Sequence, residues 1–186
     1  MFVSGPQEGR PASPEGRAPA EQACYDLLDR LAIPYIRVDH DEAATIDLCG
    51  AVERVLGVPI CKNLFLCNRQ KTAFYLLLMD GDKPFKTKYL SAQLGCSRLS
   101  FASPEDMERL LGVAPGSATA LALANDHENA VRLVVDRSVA EREFLGCHPC
   151  KNTASLRIRT KDILERFLPA VGHEPIGVNL PEKETE

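Results

Sequence analysis

The stretch N-L-F-L-C-N-R-Q-K-T-A-F-Y-L-L-L-M, residues 63–79, decides the fold class of this chain. Two apolar runs, 63–67 and 73–79, are separated by a short polar connection. Apolar runs of this length with a turn-forming connection are typical of neighbouring strands. The stretch therefore predicts an antiparallel β-hairpin, which the rest of the chain must cover.

Helical and strand patterns are interspersed on both sides of this hairpin. Apolar spacing and helix-capping residues predict helices at 21–32, Ile46–Leu56, 104–111 and 161–171. Short apolar or alternating runs predict strands at 35–39, 120–124, Val131–Asp136, 153–158 and 176–180. The pattern predicts an α/β fold, with a mixed sheet covered by helices, and it leaves the strand order open.

Composition and charge are those of an ordinary soluble chain. Of the 186 residues, 45% are hydrophobic and 26% are charged, which suits one domain with its own core. The formal net charge of −4 argues against a broadly basic nucleic-acid-binding protein, although a local basic patch is compatible with it. No apolar stretch approaches the ~20 residues that span a bilayer. Residues 1–20 lack the apolar segment of a secretion signal, so a cytoplasmic location is expected.

The polar ends of the chain suggest the domain boundaries. Residues 1–20 are rich in proline and glycine and are predicted to form a disordered leader. The domain is predicted to span 21–180, and 181–186 to form an acidic tail. The seven cysteines are an odd number and several stand in apolar runs, so they are interpreted as buried free thiols in a reducing compartment.

Three short polar motifs stand in apolar surroundings, without any of the common catalytic signatures. They are Cys61-Lys62-Asn63, Pro115-Gly116-Ser117-Ala118-Thr119 and G-C-H-P-C-K-N-T-A at 146–154. Each motif alone has a purely structural explanation. The lysine could be solvated, the proline and glycine could form a turn, and the asparagine and threonine could satisfy backbone groups. No single motif therefore identifies a function.

Together and in this order, the motifs resemble the YbaK/prolyl-tRNA editing superfamily, and within it the free-standing PrdX or ProXp-ala type. The matching blocks are K-N-L-F-L from Lys62, P-G-S-x-T from Pro115 with Asn125-Asp126 after it, G-x-H-P-x-x-N-T-A from Gly146, and the segments 97–104 and 172–175. The resemblance covers about 21–180. It implies a single domain with a mixed, mostly antiparallel curved sheet surrounded by helices. It also implies a trans-editing enzyme that hydrolyses the ester of alanyl-tRNA(Pro), with neither a cofactor nor a metal.

The resemblance further implies the site residues. Lys62 and Gly116 match catalytic positions, where the lysine would hold the terminal phosphate or ribose and the glycine loop would line the carbonyl site. The implied substrate-binding residues are Asn63, Ser117, Thr119, His148 and Asn152. For His148 a role in the pocket is favoured over general base, because Pro149 would hold it in a turn. Ala120 departs from the proline that is common in the family, which puts the rigidity of the loop in question.

The implied partner is the proline tRNA mischarged with alanine, with a transient contact to prolyl-tRNA synthetase as a further expectation. No membrane and no DNA are expected as partners. Two basic groups are candidates for the tRNA contact, namely Lys83, Lys86 and Lys88, and Arg157 and Arg159. A run of charges is just as often a solvated face.

Four alternatives stay open. Cys147 and Cys150 form a C-x-x-C pair, as in redox sites, but a strand rather than a long helix follows them. With Cys61 and Cys67 they could form a four-thiolate zinc site, although a second close pair is missing. The chain could also bind tRNA without catalysis, or edit cysteinyl-tRNA(Pro) as another branch of the superfamily does.

Overall fold

The computed structural model describes residues 2–42 and 46–182. Its strands are β1 (Gln7–Glu8), β2 (Tyr35–Asp39), β3 (Lys62–Asn68), β4 (Phe74–Met79), β5 (Leu99–Phe101), β6 (Val131–Asp136), β7 (Phe144–Cys147), β8 (Ala154–Arg159) and β9 (Pro175–Val178). Its α-helices are α1 (Pro19–Arg30), α2 (Ile46–Leu56), α3 (Thr87–Leu94), α4 (Pro104–Leu111), α5 (Arg137–Ala140), α6 (Thr160–Asp162) and α7 (Leu168–Ala170). A 3-10 helix covers Ala120–Asn125, and a π-helical turn covers Ile163–Phe167.

The strands form two sheets, in the orders β1-β2-β8-β7 and β5-β3-β4-β6-β9. The first sheet is antiparallel throughout. In the second sheet β5, β3 and β4 are antiparallel, whereas β6 lies parallel to both β4 and β9. The expected mixed, mostly antiparallel α/β architecture is thus confirmed, and its strands are divided between two sheets.

The predicted hairpin is confirmed as β3 and β4, which pair from Lys62 opposite Met79 to Cys67 opposite Phe74. Asn68 stabilises the connection, because its side-chain oxygen accepts hydrogen bonds from the backbone N–H groups of Thr72 and Ala73 at 2.9 and 3.1 Å.

The five-stranded sheet separates two apolar clusters. Phe65 and Leu76 lie on one face, in a larger cluster that includes residues of α1, α4 and the 3-10 helix. Leu66 and Leu77 lie on the other face, in a smaller cluster under Leu90 of α3. Because both faces are covered, β4 is buried at every position, which explains its unbroken apolar sequence.

The two sheets meet at Gly146 in β7. Its N–H donates to the carbonyl oxygen of Pro59 at 3.2 Å, and its own carbonyl accepts from the N–H of Cys61 at 3.0 Å. A Cβ at this position would lie 2.8 Å from the Pro59 oxygen, so only glycine lets the two backbones approach this closely. The junction brings the start of β3 beside the loop that follows β7.

Two sequence predictions are wrong. Residues 120–124 alternate alanine and leucine like a strand but form a 3-10 helix, because Thr119 caps it by accepting from the N–H of Leu121 at 3.3 Å. Alanines and leucines of this segment are both buried, so their alternation does not mark one buried and one exposed face of a strand. Residues 2–20 are not a disordered leader either, since β1 pairs with β2 and α1 already begins at Pro19. The acidic tail lies outside the described residues except for Pro181 and Glu182.

Helix boundaries set by capping chemistry agree with the sequence. The Ser103 hydroxyl accepts from the N–H of Asp106 at 3.2 Å at the start of α4, and Gly112 ends this helix with a φ of 63°. The final predicted helix is interrupted by the π-helical turn just before Pro169, whose ring cannot continue a regular hydrogen-bond ladder. Helix α3 escaped prediction because it is short and buries only Leu90 and Ser91. Within the described ranges, no helix combines the length and apolar character needed to cross a membrane.

Candidate active site

The three polar motifs of the sequence meet at the junction of the two sheets. Cys61, which precedes β3, is hydrogen-bonded to Gly146 at the start of the third motif. The side chain of Thr119, from the second motif, interacts with the thiol of Cys147. Elements that are distant along the chain therefore build one site.

Gly116 and Asn152 also bring the second and third motifs close together. A Cβ on Gly116 would lie 3.2 Å from the Asn152 amide nitrogen. Gly116 also has a φ of +85°, a backbone conformation that side chains with a Cβ rarely adopt. Both the close approach and the backbone angle therefore require glycine here.

The buried amide of Asn152 is only partly satisfied. Its Nδ2 donates to Glu42 Oε1 at 3.2 Å, whereas its Oδ1 has no hydrogen-bond partner among residues 2–42 and 46–182. The loop that carries it is strained, because Cys150 has a φ of +61°. A buried, unpaired acceptor held on a strained loop is suited to receive a hydrogen bond from a ligand.

Asn63 presents a second acceptor of the same kind. Its Nδ2 donates to the carbonyl of Cys61 at 2.9 Å, and its Oδ1 is buried without a partner in the described part of the chain. In β3 it lies opposite Leu78, which belongs to the larger cluster together with Cys61 and Cys147. Asn63 is thus on the sheet face that the second and third motifs share.

Lys62 projects to the other face of the sheet. It lies opposite Met79, which packs in the cluster under α3, and side chains opposite each other in a pair share a face. Its Nζ donates to the carbonyl oxygen of Lys83 at 3.3 Å. The predicted site residues are therefore divided at the start of β3, with Lys62 on one face and Asn63 on the other.

The Gly116–Thr119 loop is held by its own hydrogen bonds. The N–H of Ser117 donates to the carbonyl of Ala114 at 3.0 Å, and Thr119 caps the 3-10 helix. The N–H of Gly116 has no hydrogen-bond partner among the described residues. Ala120 occupies the first position of the 3-10 helix, where proline is also favoured, so the cap supplies order that a proline would otherwise reinforce.

His148 is held in one tautomer. Its Nδ1 lies 2.9 Å from the carbonyl oxygen of Ala154, and because a carbonyl can only accept, Nδ1 carries the proton. The lone pair of the neutral ring is therefore on Nε2. Burial lowers the pKa of His148 below its ordinary value of 6.5, so the ring is neutral at pH 7.

His40, Ser155 and Glu42 belong to this site, although sequence reasoning missed them. The Ser155 hydroxyl lies 2.9 Å from His40 Nε2 and 3.3 Å from His148 Nδ1. His40 Nδ1 lies 2.6 Å from the Asp41 carbonyl, so it carries the proton and Nε2 accepts from Ser155. The sequence offered one signal for each: His40 follows a strand of alternating pattern, and Ser155 stands inside a largely apolar strand.

One candidate for the tRNA contact is corrected. The amino group of Lys83 is buried and lies 2.8 Å from Asp136 Oδ2 and 2.7 Å from Glu182 Oε1. It also donates to the carbonyl of Leu180 at 3.2 Å. With its charge neutralised inside the protein, Lys83 is a structural residue, whereas Lys86 and Lys88 are exposed.

Arg157 and Arg159 lie in a different surface region. Their guanidinium groups stack over the ring of Phe144, at 5.4 and 5.3 Å from its centroid. Arg157 also donates to the carbonyl of Leu56 at 3.1 Å, and Arg159 lies 3.8 Å from Glu143 Oε1. Both charges are thus engaged with neighbouring protein groups.

The cysteines of the C-x-x-C pair are free thiols in the interior. Burial raises the pKa of Cys147 well above its ordinary value, and it raises the pKa of Cys61 to about 11. A redox-active cysteine needs the opposite shift, so the redox alternative is disfavoured. In the described ranges, no three His, Cys, Asp or Glu residues are grouped to hold a metal ion, and the four-thiolate arrangement is not formed there.

The chain is similar in sequence to a known protein family and to several known proteins. The model of the aminoacyl-tRNA editing domain family matches residues 40–165, more than half of the chain. The chain is 30% identical over 154 residues to the prolyl-tRNA editing protein ProX of Acetoanaerobium sticklandii, covering 83% of this chain and 93% of that protein. It is 33% identical over 154 residues to the prolyl-tRNA synthetase associated domain-containing protein 1 of Danio rerio, covering 81% and 82% of the two chains.

A solved structure described as a candidate trans-editing enzyme for prolyl-tRNA synthetase has the same fold. It superposes with a TM-score of 0.64 over 88% of this chain and 99% of that chain. At 16% sequence identity, this likeness is evidence for the fold alone.

Proposed function

This chain belongs to the aminoacyl-tRNA editing domain family, and on that premise we propose that its substrate is alanyl-tRNA(Pro). It is an aminoacyl-tRNA deacylase that acts in trans, hydrolysing the ester of a mischarged tRNA. One relative is named a prolyl-tRNA editing protein and another a prolyl-tRNA synthetase associated domain-containing protein, and both names support the choice of tRNA. The proposed location is the cytoplasm, and a contact with prolyl-tRNA synthetase is proposed to be transient.

The observation that carries the proposal is the contact of the Gly116 loop with Asn152, because both present unused hydrogen-bonding groups. In ester hydrolysis the oxygen of a water molecule bonds to the carbonyl carbon, and negative charge develops on the carbonyl oxygen. Ser117 already donates its N–H to Ala114, and we assign the N–H of Gly116, which has no partner among the described residues, as a donor to that oxyanion. A preorganised donor of this kind contributes about 2.7–4 kcal/mol to lowering the barrier in other enzymes.

The remaining atoms of the reaction balance without a protein nucleophile. The bond between the carbonyl carbon and the ribose oxygen breaks, and the ribose oxygen takes one of the two water protons. The released amino acid ionises and loses the other proton. His148 is proposed to orient the attacking water through the lone pair on Nε2, because Nδ1 is occupied by the Ala154 carbonyl.

The unpaired oxygens of Asn63 and Asn152 account for recognition of a small amino acid. The α-ammonium group of alanine has three N–H donors and can donate a hydrogen bond to each of these two side-chain oxygens. The secondary ammonium of proline also has two N–H donors, so the discrimination is assigned to its ring, which the closely packed Gly116 loop would exclude. Steric exclusion of a larger side chain discriminates more strongly than the ~1–3 kcal/mol gained per accommodated methylene. Lys62 is proposed to hold the phosphate or ribose on its own face of β3.

The test is deacylation of alanyl-tRNA(Pro), prolyl-tRNA(Pro) and cysteinyl-tRNA(Pro) by the purified protein. We expect loss of the alanyl ester, survival of the prolyl ester, and a large reduction in rate for Lys62→Ala and Asn152→Ala. Lys161→Ala is the matched control, since this exposed lysine lies away from the site and pairs with Glu165 at 3.6 Å. Cleavage of the cysteinyl ester alone would overturn the alanine assignment. No cleavage of any ester would favour a tRNA-binding protein without catalysis.

A further inference from the structure

A groove lined by aromatic and basic side chains lies on the surface of the protein, on the side of the sheet to which Lys62 projects. Phe85, Lys86, Lys88, Arg98 and Phe101 line it, and it encloses about 720 Å³. We name it the Phe85–Phe101 groove.

One of the two aromatic side chains of this groove is unusually open to solvent. Phe101 is 63% exposed, although it ends a strand of the central sheet. Phe85 is half-buried against the cluster under α3, and the two ring centroids lie 6.2 Å apart at an interplanar angle of 65°. An exposed aromatic face bordered by cations is the arrangement on which nucleic-acid bases stack.

The groove is positively charged although the whole chain has a net charge of −4. Lys86, Lys88 and Arg98 are exposed, and none of the three is in an ion pair with a described residue. None of the described residues lining the groove is acidic. The cavity beside Arg157 and Arg159 differs, because Glu8 and Asp29 line it as well. Charge complementarity to phosphate therefore favours the Phe85–Phe101 groove.

The groove and Lys62 lie on the same side of the five-stranded sheet. The Nζ of Lys62 donates a hydrogen bond to the carbonyl oxygen of Lys83, which lies two residues before Phe85 in the chain. Phe101 lies opposite Leu66 of β3, and both are on the sheet face to which Lys62 projects. Leu66 is four residues beyond Lys62 in the strand, which corresponds to roughly 13 Å at the usual rise per residue.

We propose that the Phe85–Phe101 groove binds the unpaired nucleotides at the 3′ end of the tRNA acceptor arm. One base stacks on Phe101, and Lys86, Lys88 and Arg98 contact the phosphates, while the aminoacylated end continues past Lys62. This inference rests on the proposed function, since it names the part of the tRNA that the enzyme holds. The substrate's affinity then comes from the nucleotides next to the ester, and the chemistry comes from the junction of the sheets.

Binding is tested first, with an uncharged RNA hairpin of the acceptor arm that carries its unpaired 3′ nucleotides, measured by fluorescence anisotropy at several salt concentrations. Phe101→Ala should weaken binding roughly 10-fold, the loss of one stacked base. Each of Lys86→Ala, Lys88→Ala and Arg98→Ala should reduce the slope of log affinity against log salt by about 0.7. Ile176→Ala and Lys161→Ala are the controls, an exposed apolar residue and an exposed lysine elsewhere, and should leave binding unchanged.

Catalysis separates this inference from the proposed function. The groove variants should raise KM for alanyl-tRNA(Pro) and should hydrolyse 3′-O-alanyl-adenosine at the wild-type rate, because a single nucleotide does not reach Phe101. Groove variants that bind and cleave the tRNA like the wild type would overturn the inference and leave the deacylase function standing. Equal loss of binding to a blunt hairpin without unpaired nucleotides would also overturn it. If the wild type cleaves no ester, the proposed function fails, and the binding measurements alone decide the inference.

Discussion

The imidazole rings of His40 and His148 lie 6.1 Å apart, and the buried hydroxyl of Ser155 is hydrogen-bonded between them. His40 follows β2, whereas His148 follows β7, so the serine of β8 ties together two loops that border the candidate site. Each ring has its Nδ1 on a backbone carbonyl, which fixes both tautomers. This arrangement orients Nε2 of His148, the atom proposed to hold water.

Removing the shared hydroxyl tests this orientation. Ser155→Ala leaves Nε2 of His40 buried without a donor, which should destabilise the protein by about 1–3 kcal/mol. The deacylation kcat should fall while KM stays near the wild-type value, because Nδ1 of His148 keeps its bond to the Ala154 carbonyl but loses the one to Ser155, so the ring is held less firmly. Ser138→Ala is the control. It removes a hydrogen bond of 2.7 Å to Asp136, and this bond lies outside the candidate site. Equal kcat values in both variants would refute the orienting role.

The buried His148 should make stability depend on pH. Burial lowers the pKa of His148 in the folded protein. Just below pH 6.5, His148 of the unfolded chain therefore binds a proton, whereas His148 of the folded protein does not. The free energy of unfolding should therefore fall as the pH drops below 6.5. Urea unfolding at pH 8, 6.5 and 5.5 measures this, and His148→Gln should show a shallower decrease. An identical pH dependence in the variant would contradict the assignment.

Glycine is required at position 116 for two reasons that can be tested separately: the left-handed backbone conformation and the close approach to Asn152. Gly116→Ala should cost about 1–2 kcal/mol for the left-handed backbone and should also displace Asn152, lowering kcat. Gly95→Ala has the same kind of backbone, with a φ of +61°, but nothing lies within 4 Å of its Cβ. The control should therefore lose similar stability and keep its activity. Thermal unfolding and deacylation assays on both proteins make the comparison.

The junction of the sheets should tolerate no side chain. In Gly146→Ala the new Cβ would lie 2.8 Å from the Pro59 oxygen, a backbone atom that can move only by separating the sheets. We expect a loss of more than about 2 kcal/mol, at the severe end of single substitutions. Gly177→Ala, in strand β9, meets nothing within 4 Å and should be nearly neutral. Urea unfolding of the two variants distinguishes them, and equal midpoints would refute the steric argument.

Substitution of the buried ion pair of Lys83 and Asp136 should lower the stability of the fold and leave RNA binding unchanged. Burial alone would raise the pKa of Asp136, but hydrogen bonds from Lys83, Leu180 and Ser138 outweigh it and hold that pKa below the ordinary 3.8. The stabilisation is therefore complete above pH 3.8 and is lost as the pH falls further. Lys83→Met should cost about 3–5 kcal/mol, because it strands a buried carboxylate.

A double variant completes this test. Lys83→Met with Asp136→Asn should recover part of the stability, since no charge is left buried alone. The salt dependence of RNA binding should match the wild type in both variants when measured under conditions where they are folded. A shallower salt slope in the folded double variant would show that Lys83 contacts the nucleic acid after all.

Much of the fold could be predicted because its determinants are local. The apolar runs of β3 and β4 and the Ser103 cap of α4 depend on residues a few positions apart. The 3-10 helix at Ala120–Asn125 could not be predicted in the same way. Its alternating alanines and leucines are all compatible with burial in either structure, and the surrounding core decides between helix and strand.

The candidate site shows the same division. Sequence motifs identified Gly116 and Asn152, but their contact depends on how the loops on either side of the sheet junction pack. His40 and Ser155 could not be assigned from the sequence, because their roles come from hydrogen bonds that join β2, β7 and β8.

The sequence by itself determined the family and the position of the main helices and strands, and it supplied candidate residues for the site. Only the tertiary structure decided which two of three nearby lysines are exposed and which one is buried. Lys83, Lys86 and Lys88 are equivalent in a local charge pattern, yet Lys83 is neutralised by Asp136 from a distant strand, and the other two face solvent. Local periodicity reports which side of an element is apolar, whereas the partner of a buried charge depends on which distant segments fold against it.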